Sequence, residues 1–273
     1  MAGRTTRIID TMPTPRPAAA SIIVPTFHEA PNIRPLAERV FAAAAQAGRT
    51  VELILVDDDS RDGIDEAARA LATKHPVRLI VRRGERGLSG AVLAGFAEAR
   101  YDRLVVLDAD LQHPPELIPT LLDRLDKGDA DFVVATRYGP GGGVTAGWPW
   151  WRRLASRTAT LLARPLAPLS DPMSGFFALR RETWRRADHL NPIGYKIGLE
   201  LYVKAGCHRP AEVPIRFDTR RAGHSKLTLA EQVRYLRHLY RLYRFKYPYR
   251  TLLALLAAAL ATVGAMSWIA WIR

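Results

Sequence analysis

Residues 103–112 read RLVVLDADLQ, a short apolar run rich in β-branched residues that ends in two aspartates separated by one alanine. Alternation along an extended chain predicts that Val106, Asp108, Asp110 and Gln112 share one side as a strand runs out. Two carboxylates and an amide oxygen would converge there. Hard oxygen donors in so small a number suit Mg²⁺ or Mn²⁺, which keeps positions open for other oxygen ligands. Taken alone, an aspartate at a strand end serves equally well as the cap of the next helix.

The segments on either side repeat the same pattern. Strands are expected at Ser21–Thr26, Val51–Asp58, Val77–Arg83, Arg103–Asp110 and Asp131–Tyr138, each followed by a turn and a helix-like stretch such as Asn32–Ala47 or Pro115–Lys127. This predicts an α/β fold, a Rossmann-like domain with a mostly parallel sheet under helices. Ligands gather at the carboxyl ends of such strands, and the polar clusters HEA, DDDS, DAD and TRY fall there. Asp58 can accept hydrogen bonds from a nucleobase ring NH or a ribose hydroxyl. Phe27 offers an aromatic face, and Glu29 offers either an acceptor for ribose or a favourable charge at the start of the helix that Pro31 opens. Past Tyr138 the alternation gives way to GPGGG at 139–143, an Arg- and Trp-rich stretch at 148–169, and SDPMSGFF at 170–177. That half is expected to serve something other than a nucleotide.

Forty Lys and Arg residues against 27 Asp and Glu give a formal net charge of +13, which favours an anionic partner: nucleic acid, anionic lipid or a phosphorylated substrate. The acidic set Asp58, Asp108, Asp110 with Gln112 argues against nucleic acid, because a polyanion-binding surface has no use for it. The single cysteine, Cys207, excludes an intramolecular disulfide and reads as a packing residue.

The two ends differ. Residues 1–17 are polar, proline- and arginine-containing, and are expected to be a disordered lead rather than a signal sequence; the catalytic-type domain is expected over 18–227. Thr251–Ile272 runs 22 residues without a charge. At about 1.5 Å per residue this is roughly 33 Å, enough to span a bilayer core of about 30 Å. The expectation is a single-pass anchor over 251–273, with Trp268 and Trp271 at the interface and the domain on the cytoplasmic side. Before it, residues 228–250 should form an amphipathic helix on the membrane surface. Arg234, Arg237, Arg241 and Arg244 line one face, with Val233, Leu236, Tyr240, Tyr243 and Tyr247 beside them.

Together the ordered motifs VPTFHE, VDDDSRDG, GLSGAVLAGF, DADLQHPPEL, TRY, DPMSGFF and FDTRRAGHSKL make the chain resemble, over residues 21–226, the dolichol-phosphate mannose synthase branch of the inverting GT-A glycosyltransferases. The resemblance implies a GT-A domain in which Asp108, Asp110 and Gln112 hold the metal and diphosphate, while Pro25, Phe27, Glu29 and Asp58 hold the nucleoside. It further implies that Arg137, Arg152 and Ser156 grip the lipid phosphate and that Arg220 and Lys226 reach the phosphates. The sequence departs from the family at Phe27-His28, where Tyr-Asn is usual, and at Asp59, where Gly or Asn precedes the serine.

The implied reaction is transfer of a hexose, with mannose from GDP-mannose favoured, onto a polyprenyl or dolichyl phosphate in a lipid bilayer. A phosphate monoester with second pKa near 6 is largely dianionic at neutral pH, so no residue need act as base. Inversion by single displacement follows. Two other readings stand beside it: a polyprenyl-phosphate glucose synthase using UDP-glucose, and a non-catalytic basic membrane adaptor. Nothing in the sequence sets an oligomeric state.

Overall fold

The run at 103–112 does form a strand, but a short one, Arg103–Val106, inside an eight-stranded sheet. The computed structural model describes residues 7–8, 19–144, 150–191, 193, 196–217 and 229–250. In chain order the strands are β1 (Arg7–Ile8), β2 (Ala20–Thr26), β3 (Val51–Asp57), β4 (Val77–Val81), β5 (Arg103–Val106), β6 (Phe132–Thr136), β7 (Gly143–Val144), β8 (Phe177–Arg180), β9 (Pro210–Pro214) and β10 (Arg216–Phe217). The helices are α1 (Ala30–Gln46), α2 (Ile64–Ala72), α3 (Leu88–Glu98), α4 (Ile118–Asp126, after a 3-10 turn at Pro115–Leu117), α5 (Trp150–Ala163), α6 (Arg181–Arg186), α7 (Ile197–Lys204) and α8 (Leu229–Lys246).

The main sheet has the order β1-β4-β3-β2-β5-β8-β6-β9, and β7 pairs separately with β10. Strands β4, β3, β2 and β5 are parallel, as are β6 and β9. The chain leaves β2 in one direction for β3 and β4 and returns on its other side at β5, so the strand order reverses between β2 and β5. Their carboxyl ends form the crevice where α/β sheets bind ligands. Strand β8 is antiparallel to both β5 and β6, which sequence alternation did not anticipate. Its direction has a consequence: the turn entering β8, DPMSG, lies at the same edge as the carboxyl ends of β5 and β6. Phe177 is in register with both Val106 and Val134, and the Ala135 amide donates to the Phe176 carbonyl at 2.8 Å.

Both sheet faces are apolar, as a parallel sheet covered on two sides requires. Ile22, Val24, Leu53, Leu55 and Val105 pack beneath α1, α2 and α4. On the opposite face, Ile23, Ile54, Val56, Leu104 and Val106 join α3, α7 and Leu239 and Leu242 of α8. Within the lead expected to lack structure, Arg7–Ile8 pair antiparallel with the edge of β4. The candidate anchor at 251–273 lies outside the described residues, among which no helix is long and apolar enough to cross a membrane.

Helix α3 sits unusually close to the sheet, and Gly95 permits it. A Cβ at Gly95 would stand 2.5 Å from Ile23 Cγ2 and 3.2 Å from Val56 Cγ2. Gly95→Ala is therefore expected to destabilise the domain by about 1–3 kcal/mol through overpacking. A lowered urea midpoint with an unchanged slope would report it; an unchanged midpoint would show that α3 yields freely.

Candidate active site

At the ends of β2 and β3 the polar residues build one loop scaffold. Buried Asp57 accepts from Thr26 Oγ1 at 3.1 Å, the Ser60 amide at 2.7 Å and the Ser60 hydroxyl at 2.5 Å. Ser60 Oγ in turn accepts from the His28 amide at 2.8 Å, and Asp62 caps α1 through the Ala30 amide at 3.0 Å. Asp58, expected to meet a nucleoside, also serves this scaffold: Oδ1 accepts from Arg82 at 2.9 Å and Oδ2 from the Gly87 amide at 2.7 Å. Burial raises its pKa, against the bond from Gly87 and the charge of Arg82. Gly87 has φ of +137°, a conformation that suits glycine. Pro25 is buried within β2 opposite Val56, while half-buried Phe27 lies under the Arg86 guanidinium, 4.8 Å from its ring centre. Glu29 accepts from Asn32 Nδ2 at 2.7 Å at the start of α1, the helix-terminal role the sequence had left open.

The aspartates of the DAD motif stand in a turn beyond the strand rather than on its pleat. The ladder stops at Val106; β3, β4 and β6 also stop one or two residues short of their expected ends, whereas β2 ends at Thr26 as expected. Asp110 Oδ1 accepts from the Gln112 amide at 3.1 Å across Leu111, whose φ of +61° is a strained value for leucine. His28, Asp59 and Arg61 share positive φ at the neighbouring strand ends, so backbone strain concentrates along this edge. Asp110 and Gln112 are buried and Asp108 is half-buried. Neutral His113 braces the turn: Nδ1 accepts weakly from the Asp108 amide at 3.4 Å, and the ring packs against Phe176 and Phe217. Burial pushes its pKa down to about 4, with Asp110 opposing the shift.

The DPMSG turn joins this carboxylate site to a buried cation. Asp171, with no exposed surface, takes Arg137 in a two-pronged pair, Nε to Oδ2 at 2.6 Å and Nη2 to Oδ1 at 2.9 Å. Arg137 also lies 5.1 Å from the Phe217 ring centre. At the other end of the turn, a Cβ on Gly175 would reach to 3.0 Å from Asp108 Oδ2, so glycine allows the close approach. Tyr138 Oη and Ser156 Oγ are 2.7 Å apart, tying α5 to the end of β6. Lys196, at the start of α7, donates from Nζ to the Met173 carbonyl at 2.8 Å. Its pKa is pushed down to about 8 by burial and the nearby Arg137 charge, against Asp171 and Asp108.

The structure thus gathers Asp108, Asp110, Gln112 and Arg137 along one edge, with Ser156 joined to it through Tyr138. Arg152 lies four residues before Ser156 in α5, but its side chain is outside the described residues, as are Arg220 and Lys226. Sequence reasoning left Asp171, His113 and Lys196 without roles. The available signal was a charged or polar residue inside an otherwise apolar stretch: IGYKIGL around Lys196, and the quoted DPMSGFF and DADLQH segments. Among the described residues, no group of three or more His, Cys, Asp and Glu is placed to hold a metal. Two carboxylates with an amide oxygen still fit Mg²⁺ or Mn²⁺, which take few protein ligands when substrate oxygens complete the shell.

A mostly parallel sheet with paired aspartates at its switch point is the GT-A-like class of glycosyltransferase domain. The chain belongs to glycosyl transferase family 2, whose model matches residues 21–186. It is 48% identical over 237 residues to a dolichol-phosphate mannosyltransferase of Mycosarcoma maydis, covering 84% of this chain and 80% of that protein. It is 47% identical to a dolichol-phosphate mannosyltransferase of Saccharomyces cerevisiae, over 83% and 88% of the two chains. A polyprenol monophosphomannose synthase of Mycolicibacterium smegmatis is 37% identical, over 76% and 80%. The fold resembles that of glucosyl-3-phosphoglycerate synthase from Mycobacterium tuberculosis, solved with Mn²⁺ and uridine diphosphate, with a TM-score of 0.58 at 20% identity, over 84% and 79% of the chains.

The Arg137–Asp171 pair gives a direct prediction. Asp171→Asn leaves a buried guanidinium uncompensated and should cost about 3–5 kcal/mol of stability. The double variant Arg137→Met/Asp171→Leu, which removes both charges, should recover most of it. Chemical denaturation of the two variants tests this; equal losses in both would mean that the pair does not hold the turn.

Proposed function

We propose that this enzyme transfers mannose from GDP-mannose to dolichyl or another polyprenyl phosphate, with inversion at the anomeric carbon. The observation that carries the reading is the joining of the Asp108–Asp110 turn to the Arg137 cation through one short segment, Asp171–Gly175. A transferase whose two substrates are both phosphorylated needs these parts adjacent. Asp108, Asp110 and Gln112 would hold Mg²⁺ or Mn²⁺, which when bound supplies Lewis-acid neutralisation of the departing diphosphate. Pro25, Phe27, Glu29 and Asp58 are assigned to the nucleoside. For Asp58 and Glu29 the roles are partly indirect, since Asp58 fixes the Arg82 and Gly87 loop and Glu29 fixes Asn32.

Arg137, Arg152 and Ser156 are assigned to the acceptor phosphate, with Arg220 and Lys226 reaching the phosphates. One edge of the Arg137 guanidinium is bonded to Asp171, which fixes its orientation for directional, charge-assisted bonds to phosphate. The acceptor arrives as its dianion and attacks the anomeric carbon from the face opposite the diphosphate; no proton has to be removed by a side chain.

A lipid acceptor requires the site to lie near a bilayer. Helices α5 and α8 support that placement. Leu154, Leu161 and Leu162 on α5, and Val233, Leu236 and Tyr240 on α8, are exposed beside Arg157, Arg234, Arg237 and Arg244. The two helices are tied by bonds from Tyr235 Oη to the Ala159 carbonyl and from Tyr243 Oη to the Leu162 carbonyl, both 2.7 Å. Tyr243 and Tyr247 therefore bond to the domain, whereas the sequence grouped them with the membrane-facing stripe. We assign 228–250 to the interface and 251–273 to a single membrane anchor, with the catalytic domain on the cytoplasmic side.

Incubation of the purified protein with GDP-mannose or UDP-glucose, Mg²⁺ or Mn²⁺ and a polyprenyl phosphate tests the reading by mass spectrometry of the lipid. A mannosyl phosphate lipid is expected from GDP-mannose; a product from UDP-glucose alone would replace mannose with glucose. Asp110→Asn should lower turnover at least about a hundredfold with its circular dichroism unchanged, because a metal ligand is worth no less than the residues that orient one. Near-normal turnover at saturating metal would remove Asp110 from the metal site.

A further inference from the structure

Lys196 is half-buried at the carboxylate edge, and a lysine withdrawn from water is tolerated only where its charge is balanced. Lys196 is surrounded by the means to balance it. Asp108 and Asp171 attract its ammonium, Arg137 repels it, and the Met173 carbonyl accepts a bond from it at 2.8 Å. Met173 occupies the middle of the segment whose first residue, Asp171, holds Arg137 and whose last, Gly175, lies against Asp108. The ammonium is thus anchored to the turn that joins the acceptor-side arginine to a metal-side carboxylate, from the residue that caps α7.

Resting on the assignment of Asp108 to the metal and Arg137 to the acceptor, we propose that Lys196 is a positioning residue for mannosyl transfer. It fixes the Asp171–Gly175 turn and adds a positive charge that aids the phosphate acceptor while restraining the affinity of Asp108 for the divalent ion. The two effects have opposite signs. A like charge beside a cation site weakens cation binding, and the same charge beside an anion site strengthens anion binding.

Lys196→Gln removes the charge and retains a donor for the Met173 carbonyl; Lys196→Met removes both. Mn²⁺ binding is read by electron paramagnetic resonance without substrates, and acceptor KM and kcat are read separately in the assay. Lys196→Gln should bind Mn²⁺ more tightly and show a raised acceptor KM, each by on the order of tenfold, the scale of one unit charge on a neighbouring site. Its melting temperature should stay near that of the parent, with Lys196→Met lower. A purely structural role would weaken both ligands or neither. Unchanged or weaker Mn²⁺ binding by the folded Lys196→Gln protein would overturn the proposal, as would failure of the parent protein to bind Mn²⁺. If the parent binds Mn²⁺ but forms no mannosyl lipid, the functional reading fails, and the Mn²⁺ comparison still decides whether Lys196 restrains the cation site.

Discussion

A guanidinium can remain buried among aromatic rings only if an anion meets it, and Asp171 does so for Arg137 with both of its oxygens. Much of the second half of the site depends on that pair. It fixes the entry to β8, and the antiparallel course of β8 then sets Gly175 against Asp108. Phe217 from β10 closes over both Arg137 and His113, bringing a third part of the chain to the same place. Carboxylates from β5, a cation from β6 and the turn into β8 therefore meet at one edge without a long loop.

The chemistry explains why charge is distributed in this way. A nucleotide sugar and a phosphate acceptor repel each other, and repulsion rises as water is excluded. In the proposed assignment, cations near the acceptor and a divalent ion near the diphosphate would offset that repulsion at the two ends. A side-chain base adds nothing when the nucleophile is already ionised. His113, the histidine nearest the aspartates, is consistent with this: it is buried and neutral, and its Nδ1 faces the Asp108 amide. In the proposed assignment the surplus of 13 positive charges would serve the acceptor and a membrane surface.

The sequence made the sheet legible because its strands are apolar on both faces and end in polar clusters; β2 to β6 all fall where alternation put them. Their ends were less legible. Asp108 and Asp110 fit a strand pattern on paper, but the pairing of β5 with β2 and β8 stops at Val106, and the local bond from the Gln112 amide to Asp110 takes over. Strand β8 was hidden because Phe177–Arg180 carries no alternation, and its direction depends on packing between two strands distant in sequence. Asp171 and Lys196 escaped for the same reason: their partners are supplied by tertiary structure, 34 residues away for Asp171 and 23 for Lys196. The intrachain partners of Asp58, Arg82 and the Gly87 amide, were likewise invisible in the sequence, because they come from a loop 24 and 29 residues away.

The central claim is that the acceptor's own phosphate dianion is the nucleophile, held by cations and activated by no base. The pH dependence of kcat/KM for the acceptor tests it most directly, measured with a polyprenyl phosphate and with a phosphonate analogue whose second ionisation lies higher. With the phosphate the rate should rise through a pH of about 6 and then level off, following the second ionisation of a phosphate monoester. With the phosphonate the inflection should move upward with the acceptor's own pKa. An inflection that stays in place when the acceptor is changed would belong to a group on the protein, and would contradict the account.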